Sequence, residues 1–258
     1  KKIMRAVFTS QAVLNKNNGG GQFVRSLTGL LKKAIGADNL TVISLPDQND
    51  TARHSRVEKN LIIYEANPTK IQMARNVLSG CPKWVSTDIF DKIIEYIKSE
   101  KFDFVFLGFS TYEYLIKKIK KETGLPVFVM YQGVTPNTKK SRLVGASLIQ
   151  KIKAFPSYRM VLKRERTNAM LADCNIVHNK RERDAFYYYY KKEPEMYLPV
   201  FIADKFSDNK GENPGYRDFS LLFIGSNFGP NLSGLKWFAE NVMSQLPEGI
   251  SLYVVGQG

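Results

Sequence analysis

The sequence predicts an α/β fold built on a parallel sheet, and three observations carry that expectation. Strand-sized apolar runs alternate with segments of helical periodicity along nearly the whole chain. One run, FDFVFLG, is almost continuously apolar, as a strand buried on both faces of a parallel sheet must be. Glycine-bearing stretches join strand to helix near both ends of the chain, at NNGGGQF and at IGSNFGPN.

The elements follow in order. IMRAVFTS is a short strand, and after the glycines FVRSLTGLLKKAI places Phe23, Val24, Leu27, Leu30, Leu31, Ala34 and Ile35 at helical spacing. LTVISLP is a strand stopped by Pro46, and LIIYEA is another. NPTKIQMARNVLSG is helical with Gly80 as its stop. DIFDKIIEYIKSE gathers Ile89, Phe90, Ile93, Ile94 and Ile97 on one face and Lys and Glu on the other. FDFVFLG, a helix over STYEYLIKKIKKETG and the strand PVFVMYQG continue the alternation. From Thr135 to about Asn168 the helical spacing persists, but Lys and Arg crowd the polar positions. Then come helix, strand and helix in NAMLADCNIVHNKRERDAFYYYY.

Residues 1–203 therefore form a first α/β domain, and the polar, Gly- and Pro-containing stretch 204–218 reads as an interdomain linker. Residues 219–258 supply a strand, a helix with Pro230 near its start, and a second strand. One βαβ unit leaves most of an open sheet uncovered, so this second domain is expected to be incomplete.

Composition narrows the partners. The 258 residues are 43% hydrophobic and 12% aromatic, which fits a folded chain with a sizeable core. No apolar run approaches the ~20 residues of a membrane span. The chain opens KKIMRAVF without a signal peptide and is expected to be cytoplasmic, although Lys1 stands where an initiator Met belongs. Cys81 and Cys174 share no metal or redox spacing and read as free thiols. The net charge of +14 suits nucleic acid, an anionic membrane surface or phosphorylated substrates, or only a soluble surface. No nucleic-acid motif is present, so a nucleic-acid partner is not expected. Two histidines leave little room for a Ser-His-Asp or Cys-His machine.

The glycines are the candidate ligand contacts. Gly20 and Gly21 let the backbone turn and approach a ligand, and the following helix aims its positive end there, which suits a phosphate. The loop matches neither GxGxxG nor the Walker pattern, and a plain strand–helix loop explains it equally. Gly225, Ser226 and Gly229 repeat the geometry in the second domain, and VVGQG closes its next strand. Ligands in such sheets lie outside the carboxyl ends of the strands, so two glycine edges predict a cleft between domains.

The stretch LLFIGSNFGPNLSGLKWFAENVMSQLPEGISLYVVGQG resembles the opening βαβ of the sugar-nucleotide domain in glycosyltransferase family 4, enzymes of the two-domain GT-B type. Its strand ends in Gly-Ser, a Pro-Asn pair opens a helix with Trp-Phe, and the next strand ends Val-Gly-x-Gly. The early glycine loop, FDFVFLGFSTYEYLIKKIK and RERTNAMLADCNIVHNKRERDAF resemble the first domain more weakly. The flavour is that of bacterial surface-polysaccharide transferases.

The resemblance implies two Rossmann-like domains, the acceptor on the first and the nucleotide-sugar on the second. It implies a retaining transfer to a polysaccharide, lipopolysaccharide or lipid-linked acceptor, with no metal and no cofactor. It would place Gly20 and Gly21 against the diphosphate or acceptor. Gly225, Ser226 and Asn231 would line the donor side, and Gly256 and Gly258 would lie near the nucleotide. The family's paired glutamates and diphosphate-holding cations are expected beyond Gly258, so the fragment itself is not expected to catalyse transfer. Lys236 sits inside a helix and does not match the cation role.

Relatives commonly carry a His after the strand that here reads PVFVMYQG, and this chain has Tyr131, Gln132 and Gly133 instead. Tyr131 or Gln132 becomes the candidate for orienting an acceptor hydroxyl, with Glu113 as a candidate acceptor carboxylate. Ser110, Thr111, His178 and Asn179 fall on the same edge; capping explains Ser110 and Thr111 without function, and a first-turn Glu is ordinary. Glu65, Asn67 and Lys70 lie past another strand, and His54 sits in a polar loop. Leu143, Val144, Leu148, Ile149 and Ile152 interleave with Lys139, Lys140, Arg142, Lys151 and Lys153, the pattern of a helix lying on anionic lipid or of an ordinary helix facing the core. Two rivals stand beside the transferase: a non-catalytic subunit of the same fold, and a basic nucleic-acid-binding protein.

Overall fold

The computed structural model describes residues 3–11, 13, 19–46, 59–141, 143–201, 219–225 and 229–256. The chain divides into two units, Lys1–Ala203 and Asp204–Gly258. The stretch 204–218 read as a linker, together with His54, Arg142, Ser226 and Gly258, lies outside the described residues.

The first unit is built on seven strands: β1 (Ala6–Ser10), β2 (Leu40–Ser44), β3 (Leu61–Ile63), β4 (Phe104–Leu107), β5 (Val127–Met130), β6 (Cys174–Val177) and β7 (Met196–Tyr197). They lie in the order β3-β2-β1-β4-β5-β6-β7, and every neighbouring pair is parallel. All residues of β1 and β2 are buried, as both faces of such a sheet require.

One face is covered by α1 (Gly19–Ile35), whose Phe23, Val24 and Leu27 pack with Phe8, Val42, Phe106, Met130 and Ile176. The other carries α3 (Thr87–Ser99), α4 (Glu113–Glu122) and α7 (Lys180–Tyr190). All five apolar residues predicted for one face of α3 are buried. Its start is set by Ser86, whose side chain accepts from the Ile89 amide. Between β3 and α3, α2 (Lys70–Leu78) begins with a capping box of Thr69 and Gln72, and Gly80 follows its end at φ +86.

Several local expectations change. Gly19–Gly21 form the first turn of α1, so the glycines belong to the helix and not to a loop before it. Ser110 and Thr111 do not cap α4; Tyr112 is its N-cap residue and makes no side-chain cap bond. Of the four tyrosines, Tyr190 is buried whereas Tyr187 and Tyr188 are exposed, as a helix passing once over the core demands.

The basic segment forms α5 (Thr135–Ser141) and α6 (Leu148–Leu171). Helix α6 has 24 residues, about 36 Å at 1.5 Å per residue. It ends next to the start of β6, and strands of four or five residues span only about 15 Å. Its N-terminal half therefore projects past the carboxyl edge of the sheet. There Val144, Leu148, Ile149 and Ile152 are exposed, so they do not face the core.

The second unit is one βαβ: parallel strands β8 (Ser220–Ile224) and β9 (Ser251–Val255) with α8 (Gly229–Asn241). Lys236 pairs with Glu240 along α8 at 3.7 Å.

Glycine is obligatory where β1 and β4 end side by side. A Cβ on Gly108 would stand 2.6 Å from Ser10 Oγ, 2.8 Å from Ser10 Cβ and 3.1 Å from the Phe8 ring. Gly108→Ala is expected to lower stability by about 1–3 kcal/mol through overpacking, seen as a lower urea midpoint at unchanged slope.

Candidate functional site

Strands β1 and β4 are neighbours at the centre of the sheet, but their connections leave in opposite directions, to β2 and to β5. Right-handed crossovers then place α1 on one face and α4 on the other, and a crevice opens between the loops that follow the two strands. The residues at this carboxyl edge are Ser10 at the end of β1 with Gln11 after it, Gly108 to Thr111 after β4, Tyr131 to Gly133 after β5, and His178 and Asn179 after β6.

The crevice floor is tied across the switch point. The Gln11 amide donates to the Tyr112 hydroxyl oxygen at 3.1 Å, and Gln11 Nε2 donates to the Pro46 carbonyl at 2.9 Å. Half-buried Gln132 reaches back under it, its Nε2 3.3 Å from the Gly108 carbonyl oxygen. His178 stands edge-on to Phe23 of α1, with ring centroids 4.9 Å apart. Its Nδ1 lies 2.9 Å from the Leu198 carbonyl oxygen. A carbonyl only accepts, so Nδ1 carries the proton and Nε2 is left as the acceptor of the neutral ring. Gly20 and Gly21 sit at the N-terminus of α1, whose first turn holds no acidic side chain. Gln132, His178 and the α1 terminus thus all lie at the carboxyl edge of the sheet, His178 against α1 itself.

Other candidates turn away from it. Tyr131 is fully buried against Phe186 and Tyr190, with centroids 4.9 and 6.2 Å away, and cannot touch an acceptor. Burial also pushes its hydroxyl well above the ordinary tyrosine range. Glu113 faces α6: Lys117 Nζ lies 2.5 Å from one carboxylate oxygen and Arg164 Nε 3.7 Å from the other. Asn179 caps α7, its side-chain oxygen accepting from the Glu182 amide at 3.0 Å. Thr111 is half-buried at the start of the turn into α4, and Glu65, Asn67 and Lys70 are exposed beyond β3, toward the outer end of the sheet. Burial pushes the Cys81 thiol up to about 12, so it is no nucleophile, and Cys174 is a free thiol too.

Ser110 points inward, to a residue that its sequence context did not single out. Glu165 of α6 is fully buried and accepts from Ser110 Oγ (2.5 Å), Thr135 Oγ1 (2.5 Å), the Thr135 amide (3.1 Å) and the Tyr190 hydroxyl. Asn168, three residues further along the same helix face, donates to the Ser110 carbonyl. One carboxylate therefore fixes the loops after β4 and β5 and the end of α7. The signal for it is a lone acid at helical spacing with Leu162, Ala169 and Ala172.

In the second unit, Gly225 and Gly256 end β8 and β9 in contact. The Gly225 amide donates to the Val255 carbonyl at 3.0 Å, and a Cβ on Gly256 would fall 1.8 Å from the Gly225 oxygen. A Cβ on Gly225 would meet the Phe223 ring at 2.8 Å and Asn231 Nδ2 at 3.3 Å. Close packing already requires both glycines, and it brings Asn231 to the same strand end. Among the described residues, no group of three or more His, Cys, Asp or Glu side chains is placed to hold a metal ion.

No family model matches this sequence, and no curated protein matches it either. Solved structures do. Sucrose-phosphate synthase from Thermosynechococcus elongatus superimposes with a TM-score of 0.58 at 12% identity, over 98% of this chain and 71% of that one. The lipopolysaccharide outer core galactosyltransferase WaaB gives 0.53 at 13% identity, over 99% of this chain and 61% of that one. The fold is that of the GT-B glycosyltransferases. The seven-stranded parallel sheet is a Rossmann-like domain of this fold, as the sequence led us to expect.

Burial raises the Glu165 carboxyl above its ordinary value, against the bonds from Ser110, Thr135 and Tyr190 that lower it. The folded protein then holds this proton more tightly than the unfolded chain does. The stability it contributes is full below the ordinary carboxylate value and is lost as pH rises through the raised one. Glu165→Gln is expected to remove that decline in urea titrations taken from pH ~4 upward. Glu165→Ala strands the donors together and is expected to cost about 3–5 kcal/mol in the same assay.

Proposed function

We propose that this chain is the acceptor-side domain and the opening of the donor-side domain of a glycosyltransferase. The enzyme moves a sugar from a nucleotide-sugar to a polysaccharide, lipopolysaccharide or lipid-linked acceptor, without a metal ion and with retention at the anomeric carbon. The observation that carries this reading is the switch point of β1 and β4 in a GT-B fold, with the N-terminus of α1, whose first turn holds no acidic residue, Gln132 and His178 at the same carboxyl edge.

The role of α1 follows from electrostatics. Its amides and dipole place partial positive charge where a diphosphate or a phosphorylated acceptor would lie. Lys32 and Lys33 complement its other end. At Gly19 a Cβ would meet nothing within 4 Å, so packing among the described residues does not explain the glycine there, whereas a close ligand would. Gln132 and the acceptor nitrogen of His178 can position acceptor hydroxyls, the task that the family pattern gives to a His near Gln132.

The decisive experiment supplies the full-length protein with a panel of nucleotide-sugars and glycan or lipid-linked acceptors. Release of nucleoside diphosphate with product formation is expected, unchanged by EDTA, and proton NMR should show the donor's anomeric configuration in the product. Absence of both turnover and donor binding across the panel would overturn the reading.

Gly19→Asp separates fold from function because the two effects have opposite signs. A carboxylate at this terminus is expected to stabilise the protein slightly, by about 0.3–1 kcal/mol. It would repel a phosphate and raise KM about tenfold or more, as the loss of ~1.4 kcal/mol implies. A rise in Tm with unchanged kinetics would remove α1 from the site.

A further inference from the structure

We propose that the outward face of α6, with the turn before it, docks on an anionic membrane surface, apolar side chains entering the interface and cations meeting lipid phosphates. The inference rests on the surface alone and not on the transferase reading.

The first observation is an apolar stripe that faces solvent. Val144, Leu148, Ile149, Ile152 and Phe155 are 83%, 73%, 65%, 63% and 59% exposed. Positions 148, 149, 152 and 155 recur at the spacing of one helix face, opposite the face that buries Glu165 and Asn168. Exposed apolar residues scattered singly need no explanation, but a contiguous stripe does. The stripe is formed helix: Ser147 and Gln150 close a capping box at its start, and Lys139 Nζ donates to Ser157 Oγ at 2.8 Å, tying α5 to α6.

The second observation is charge. Lys151 and Lys153 flank the apolar stripe on its two sides. Farther along the same face come Arg159, Lys163 and Arg166, exposed and with no carboxylate at ion-pair distance among the described residues. With Lys117 and Met170 they line a groove of ≈ 930 Å³ whose walls hold no Asp or Glu. A row of apolar side chains followed by a row of unpaired cations matches the acyl–headgroup boundary of anionic lipid. A second copy of this chain is a poorer fit, because a two-fold contact would set these cations against their own like.

The depth is limited as well. Pro156 inside α6 has no N–H, so the Ile152 carbonyl lacks its helical donor and must stay within reach of water or headgroups. No helix among the described residues is long and apolar enough to cross a membrane. The helix therefore lies in the interface plane. Its apolar half is the half that overhangs the carboxyl edge of the sheet, so the crevice at β1 and β4 opens toward the same side as the lipid.

The test is co-sedimentation of the full chain with phosphatidylglycerol–phosphatidylcholine vesicles and with pure phosphatidylcholine vesicles. Binding to the anionic vesicles only, weakened by salt, is expected. Ile149→Gln with Ile152→Gln and Phe155→Gln should weaken it about tenfold or more, as should Lys151→Glu with Lys153→Glu and Arg159→Glu. Both sets replace exposed side chains, so Tm and circular dichroism should not change. In Phe155→Trp, emission should shift to the blue with anionic vesicles. No binding to them, loss with the charge set but not the apolar set, or a wild-type dimer in ultracentrifugation that the apolar set abolishes would each overturn the proposal.

Discussion

A single carboxylate placed where water cannot reach it holds much of the first unit in register. Glu165 is out of solvent, and unpaired it would be among the costliest groups to bury. Its position is tolerable only because Ser110, Thr135 and Tyr190 all give it hydrogen bonds. The requirement runs both ways. Beyond Gly108 and Tyr131, whose amides still reach the neighbouring strands, the chain after β4 and β5 leaves the sheet, and Ser110 and Thr135 each bring a hydroxyl group to this carboxylate. Helix α6 thus acts as a brace across the carboxyl edge, and the crevice inherits its shape from that brace and from the contact of Gln11 with Tyr112.

The sheet was plainly legible in the sequence. Strand FDFVFLG had to be central because an apolar run without alternation can be satisfied only with both faces covered. The α3 stripe of Ile89, Phe90, Ile93, Ile94 and Ile97 left no choice of face. The edge residues were harder to read, and the reasons are physical. Ser110 has the chemistry of a cap, but a buried acid contributed from 55 positions away competes for its hydroxyl and wins. Tyr131 continues the alternation of Val127 and Val129 toward the helical layer, so counting in twos from β5 would have buried it and left Gln132 on the open side. Glu165 was hidden by its neighbours, since KRER reads as a solvated charge run until the helix is rolled onto its apolar face.

The glycines divide by cause. Gly108, Gly225 and Gly256 are demanded by backbone and side-chain atoms already present, and no ligand is needed to account for them. At Gly19, nothing among the described residues lies within 4 Å of where a side chain would begin. Sequence treats all of these as one class of signal. Only the surrounding atoms separate a glycine that lets two strands meet from one that leaves room for something else.

The placement of β1 also has a consequence for how the chain acquires its structure. Its central position depends on β4, and the ties between them run from Arg5 to Asp103, 98 residues apart. During synthesis the first strand can find β2 early, but its other edge stays bare until FDFVFLG has emerged. Pairings of such separation close slowly, and a waiting apolar edge can be captured by another chain. The feature that sets the crevice at the middle of the sheet is therefore also the one that leaves the nascent protein most exposed to aggregation.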